Sequence, residues 1–183
     1  GPFQMFDLAG GDIGWANRKR KAATRDPKER YVEIADRLCE RGWFGQKTGR
    51  GFYLYEEGSR IGIEDPEVLD IIAGERSTKG IRAREYSPEE IIRRYLGAMV
   101  NEAAKVLEEK VARCPSDIDV VQHYGYGFPR YRGGPMKYAD MYGIRKIVED
   151  IEEFSVEDPF FWNPSELLKT MAAQGQTFED LNQ

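Results

Sequence analysis

Gly134 to Gly143 reads GPMKYADMYG, and the first ten residues, GPFQMFDLAG, share its pattern: Gly-Pro, four residues, Asp, two residues, Gly. The two copies lie 133 positions apart, and Ile34, Leu38 and Gly42 precede Leu167, Met171 and Gly175 by the same 133. A constant offset at both ends of a segment points to a duplicated unit rather than to one chance motif. It predicts two repeats, residues 1–80 and 81–183. About fifty patterned residues precede the second Gly-Pro and none precede the first. The expectation is therefore a piece of a longer protein, cut inside its first repeat.

A chain of 183 residues is long enough to bury a real core. Its net charge of −5 argues against a general nucleic-acid binder. A basic run, Arg18 to Lys21 followed by Arg25, Lys28 and Arg30, reads either as a solvated helix face or as contact with an anionic ligand. Cys39 and Cys114 lie far apart without CxxC spacing, which indicates neither a disulfide framework nor a zinc site. No apolar run approaches the eighteen residues of a membrane-spanning helix.

The periodicity predicts helices throughout. One covers 12–23, with its cations at the C-terminal end, and a second covers 31–41 with Gly42 as C-cap. Asp65-Pro66-Glu67 starts another, through about Glu75. Ser87-Pro88-Glu89-Glu90 combines an N-cap, a Pro at the first helical position and a capping-box Glu. The helix it opens should run to about Ala112 on an apolar stripe from Ile92 to Leu107. Further helices are expected from Cys114-Pro115 to about Tyr124, over 135–153, and from Asn163-Pro164-Ser165-Glu166 to Ala173, with Thr177 capping a final turn. Residues 124–135, YGYGFPRYRGGP, are too rich in Gly and Pro to be regular. Only WFGQKTGRGFYLY, 43–55, ends in a strand-like run. The fold class is all-α with one short extended segment. A doubly wound sheet has no place in it.

The glycine loop Gly45–Gly51 is no phosphate loop, because a helix precedes it and an extended run follows. Two readings stay open: glycines that permit a tight turn, or a loop that touches a ligand or a neighbouring domain through Lys47, Thr48 or backbone N–H groups at Gly49 and Gly51. Asn101 and Glu102 interrupt an apolar stripe and need partners, which the 124–135 turn could supply. His123 is the only histidine, and no nucleophile–base set assembles around it.

Three stretches together resemble one family. GxKTGxGFY at Gly45–Tyr53, NEA at Asn101–Ala103 followed by DIDVVQHYGYGFP at Asp117–Pro129, and the repeated GPxxxxDxxG are similar to the C-terminal helical domain of 3-hydroxyacyl-CoA dehydrogenases. The tandem arrangement resembles the multifunctional enzymes of fatty-acid β-oxidation. The resemblance implies a helical domain of the 6-phosphogluconate-dehydrogenase C-terminal-like kind, present twice. It implies that NAD is bound by an upstream Rossmann domain carrying the catalytic groups, so no catalytic, cofactor or metal residue is assigned here. Lys47, Thr48, Gly49 and Gly51 become candidate acyl-CoA contacts, while Asn101, Glu102, Gly134, Pro135 and Asp140 are assigned structural roles. The second repeat has no GxKTGxGFY equivalent in Phe178–Gln183, which fits a catalytic first copy and a structural second one. Expected partners are acyl-CoA, the upstream domain and the other repeat, with the long apolar helix in that contact. A bacterial cytoplasm is expected ahead of a peroxisome, since the chain ends Leu-Asn-Gln without a peroxisomal address. The competing readings are a non-enzymatic helical module for protein or lipid contacts, and the helical domain of another 3-hydroxy acid dehydrogenase.

Overall fold

Ser87, Asp65 and Ser165 each do what a short polar residue before a helix is expected to do. Their side chains accept from Glu90 N, Glu67 N and Leu168 N and open three of the helices. The computed structural model describes residues 1–182. It places α1 at Pro2–Ala9, α2 at Gly11–Lys21, α3 at Ile34–Glu40 and α4 at Pro66–Thr78 in a first compact unit, Gly1–Arg84. A second unit, Glu85–Gln183, holds α5 at Pro88–Glu108, α6 at Pro115–Tyr126, α7 at Pro135–Tyr142, α8 at Ile144–Ser155 and α9 at Glu166–Gln174. The expected all-α class holds. Among the described residues extended backbone pairs only in isolated bridges, Gly45 with Arg50, Arg50 with Leu54, and Leu54 with Ile63. No helix of the described residues is long and apolar enough to cross a membrane.

Several expected boundaries move, three of them for an evident local reason. The helix expected over 135–153 is two helices. Gly143 takes φ 105° and ψ 119°, a conformation outside the helical region, and the chain turns there from α7 into α8. The helix expected from Tyr31 begins at Ile34, because the preceding residues are claimed from outside. Asp36 accepts from the Tyr31 hydroxyl, Arg25 stacks on the Tyr31 ring at 3.4 Å, and Glu75 accepts from Glu33 N. The long helix α5 stops at Glu108, four residues short of the expected Ala112, where Lys110 adopts a left-handed φ of 58°.

The second unit is built around a conventional apolar core. On α8, Ile144, Ile147, Val148, Ile151 and Phe154 recur at three and four residues and are buried, as that spacing dictates for one helix face. They pack with Val100 and Ala104 of α5, Met136 and Ala139 of α7, and Leu168 and Met171 of α9. Asp150 is buried beside this core, taking Arg93 at 2.5 Å and the Tyr142 hydroxyl at 2.8 Å.

The first unit is organised differently. Its buried apolar residues are Leu38, Cys39 and Val68, matched by three buried acids, Asp7, Asp65 and Glu75. Each acid has dedicated partners, the condition under which a buried carboxylate is tolerated. Arg50 donates from Nε and Nη2 to Asp65 at 2.7 and 3.2 Å and stacks over Trp43 at 3.5 Å. Glu75 accepts from Lys79 at 2.5 Å and Glu33 N at 2.9 Å, fastening α4 to the start of α3.

Two outcomes follow for stability. Ile151→Ala, at a fully buried position of the larger core, should cost about 2–5 kcal/mol in denaturant unfolding of the second unit. In the first unit the Arg50 guanidinium holds the Asp65 carboxyl below its usual range. A depressed folded-state pKa contributes stability above the ordinary carboxylate range, and that stability is lost as pH falls through the depressed value. Arg50→Gln should therefore destabilise the first unit at pH 7, with the difference from wild type shrinking as pH falls below about 4. Amide exchange of first-unit protons across that range measures it.

Candidate functional site

Asp7 projects from α1, with Pro2 at the first helical position and Gly10 ending the helix at φ 91° and ψ 125°. Its carboxylate is fully buried, yet among the described residues it forms no ion pair. It accepts from Phe52 N at 2.9 Å, Tyr53 N at 3.0 Å and the Tyr55 hydroxyl at 2.9 Å. Burial, with the hydrogen bond to Asp7 second, pushes the Tyr55 phenol up to about 12. The glycine loop is thus wrapped around one carboxylate. A Cβ on Gly51 would come within 2.2 Å of Asp7 Oδ1, and one on Gly45 within 2.2 Å of the Asp7 carbonyl oxygen. Both stems of the loop therefore require glycine for close approach.

Within the loop the backbone closes on itself. Gly45 N donates to Arg50 O, Tyr55 N to Gly49 O, and Gly11 N to Phe44 O, while Gly49 turns at a left-handed φ of 71°. Thr48 Oγ1 accepts from Phe44 N at 2.9 Å and lies within reach of the Gly45 and Arg50 carbonyl oxygens. Of the four residues singled out from sequence, Thr48, Gly49 and Gly51 are thereby engaged in the loop's own architecture. Lys47 alone presents a charged group to solvent. Its side chain is half-exposed, and its ammonium pairs with Asp12 Oδ1 at 2.5 Å and lies across Gly10. That hydrogen bond holds the Asp12 carboxyl below its usual range. Beside the loop is a hollow of about 330 Å³ lined by Gln46, Gly49, Tyr55, Glu56 and Glu57.

The same construction recurs in the second unit. Asp140 accepts from Phe178 N at 2.7 Å and Glu179 N at 3.0 Å, as Asp7 does from Phe52 and Tyr53. Gly143 repeats the backbone angles of Gly10, and the left-handed Gly42 and Gly175, at φ 76° and 69°, end α3 and α9. Asp140 lacks the third partner that Tyr55 gives Asp7, and the segments differ in length. Phe52 follows Gly42 by ten residues and Phe178 follows Gly175 by three, so the loop is seven residues shorter while its anchor stays. The sequence contains no second GxKTGxGFY, but the carboxylate that such a loop is tied to is present twice. The signal was the Asp within Gly-Pro-x4-Asp, visible as a repeat but silent about its partner.

Gly134 and Pro135 open α7, and Asp119 caps it by accepting from Met136 N and Lys137 N at 2.8 and 3.1 Å. A Cβ at Gly134 would strike that carboxylate at 2.3 Å. Asn101 does not bond the 124–135 turn. Buried inside the second unit, it donates to Asn163 O at 2.9 Å and accepts from Ser165 N at 2.8 Å, fixing the entry to α9. Glu102, one residue on, points away from the core, 73% exposed, with Lys105 at 3.8 Å. His123 is held by Phe128, through its carbonyl oxygen at 3.2 Å and an edge contact with its ring. A larger groove, about 740 Å³, runs between α5 and α6 of the second unit, lined by Met99, Val106, Ile118, Val121 and Tyr126. Sequence reading located the α5 side of it as an apolar stripe but not the groove. Among the described residues no cluster of His, Cys, Asp and Glu is arranged to hold a metal ion.

Comparison with known proteins identifies the architecture. Residues 1–55 and 91–180 match the family described as 3-hydroxyacyl-CoA dehydrogenase, C-terminal domain. A peroxisomal bifunctional enzyme of Danio rerio is 42% identical over 96% of this chain, and a fatty acid oxidation complex subunit alpha of Shewanella amazonensis is 33% identical over 97%. The chain spans about a quarter of the length of these curated relatives, 26% and 24% respectively. The crystal structure of the dehydrogenase part of a multifunctional enzyme from C. elegans superimposes with a TM-score of 0.68 at 26% identity, covering 93% of this chain and 38% of that one. The chain belongs to the 3-hydroxyacyl-CoA dehydrogenase C-terminal domain family.

Proposed function

We propose that this chain is the helical portion of a longer enzyme that oxidises (S)-3-hydroxyacyl-CoA to 3-ketoacyl-CoA with NAD, and that its own task is to close the acyl-CoA cleft through the glycine loop. The observation that carries this reading is the seven-residue excess of the loop in the first unit. Asp140 secures its segment without such an insertion, so anchoring alone does not call for one. The added residues hold Lys47 on a glycine-shaped turn with its side chain half-exposed and its ammonium beside Asp12. A cation so placed suits the phosphates or thioester carbonyl of an acyl-CoA.

NAD itself does not fit the residues of this chain. A dinucleotide site needs a strand running through a glycine turn into a helix, whereas this glycine loop runs from helix α3 into an extended segment. In this reading the cofactor and the hydride chemistry belong to another part of the protein, and the two units are repeats of one domain. The family match in two segments and the paired Asp7 and Asp140 anchors support the duplication. For the compartment, the relatives include peroxisomal enzymes at the higher identity and bacterial subunits at the lower, a weighting opposite to the bacterial cytoplasm expected from sequence.

In the full-length protein, Lys47→Ala is expected to raise KM for 3-hydroxyacyl-CoA about five- to tenfold with kcat held within about twofold, the pattern of a lost uniform binding contact. An unchanged KM would remove the loop from the cleft. The 183-residue chain alone should show no NAD-dependent turnover. Measurable turnover would overturn the placement of the chemistry elsewhere.

A further inference from the structure

We infer that Asp7 is a positioning residue for acyl-CoA recognition, acting through the glycine loop while touching no ligand itself. The inference rests on the proposed reading that the loop faces the acyl-CoA. Asp7 is fully buried, so a direct contact is excluded and any effect must pass through what it holds.

What it holds is the base of the loop, from both sides. Its carboxylate takes the N–H groups of Phe52 and Tyr53 on the outgoing stem, and its backbone packs against Gly45 on the incoming stem. Clamping both stems fixes the end-to-end distance of the intervening residues and removes most of their freedom before any ligand arrives. Lys47 lies within that span, two residues after Gly45, and over Gly10, which follows Asp7 by three residues at the end of α1. The position of the cation is therefore set by a carboxylate on the helix beneath it. The two backbone donors are part-buried, so leaving either one unpaired is costly. The third partner, the Tyr55 hydroxyl, makes the anchor tunable without deleting it.

The second unit supplies an internal control. Asp140 makes the same pair of bonds, to Phe178 N and Glu179 N, on a segment that lacks the inserted loop. A role confined to folding would be shared by both aspartates. A role in recognition belongs to Asp7 alone.

The test compares Asp7→Asn, Tyr55→Phe, Asp140→Asn and Lys47→Ala in the full-length protein, by 3-hydroxyacyl-CoA kinetics and by amide exchange. Asp7→Asn should speed exchange at Phe52 and Tyr53 and raise KM about fivefold, with kcat within about twofold. Tyr55→Phe, which leaves the carboxylate in place, should raise KM about twofold and decides the matter where Asp7→Asn does not fold. Asp140→Asn should speed exchange at Phe178 and Glu179 and leave KM unchanged. The inference is overturned if the Asp7 and Tyr55 variants loosen the loop amides while KM stays fixed, or if Asp140→Asn raises KM as much as Asp7→Asn. A KM that responds to Lys47→Ala but not to Asp7→Asn or Tyr55→Phe removes Asp7 and keeps the loop in the cleft. A KM that responds to none of the four removes the underlying reading as well.

Discussion

A carboxylate that accepts two consecutive backbone N–H groups is the interaction on which both units depend, fully buried at Asp7 and partly exposed at Asp140. Asp7 and Asp140 each stand on a short helix opened by Gly-Pro and closed by a glycine outside the helical region. Each reaches a segment far along the chain, 45 residues on for Asp7 and 38 for Asp140. At Asp7, where the charge lies away from water, it is tolerated only with its lone pairs filled, so the segment must present its amides at one place and in one register. The carboxylate thereby specifies where the chain returns. It is a constraint on topology as much as a source of stability.

Around that shared anchor the units find stability in different ways. The second collects apolar side chains from four helices, and its buried Asp150 is an accessory paired by Arg93 and Tyr142. The first buries three acids against three apolar residues, and its polar tertiary contacts include Arg50 to Asp65, Glu33 N to Glu75 and Arg18 to Asp36. Polar clusters of this kind demand specific geometry from every member, whereas apolar packing tolerates exchange among shapes of similar volume. A rigid small loop is easier to hold in the first setting, which is where the inserted glycine turn occurs.

Much of this was readable residue by residue. Ser87 and Asp65 announce their helices because capping is local: the donor to be satisfied lies two or three residues away, whereas α9 takes Ser165 as its cap in place of Asn163. The apolar spacing of α5 and α8 likewise reported a buried face without reference to any neighbour. Gly143 was misread because apolar periodicity continues through 135–153. A glycine inside such a pattern reads as tolerated until its φ and ψ are known. Asn101 was recognised as a polar residue needing partners and assigned the wrong ones, since Asn163 and Ser165 are more than sixty residues away.

The sequence by itself determined the helical class, most helix starts and the fact of a repeated Gly-Pro-x4-Asp-x2-Gly, because each follows from propensity, capping or spacing within a few residues. Only the tertiary structure decided what the repeated Asp is for. Its partners are backbone amides, which every residue but proline carries, so nothing in the side chains of Phe52, Tyr53, Phe178 or Glu179 marks them. Which amides fill a carboxylate is settled by where the chain passes, and that is a property of the folded whole.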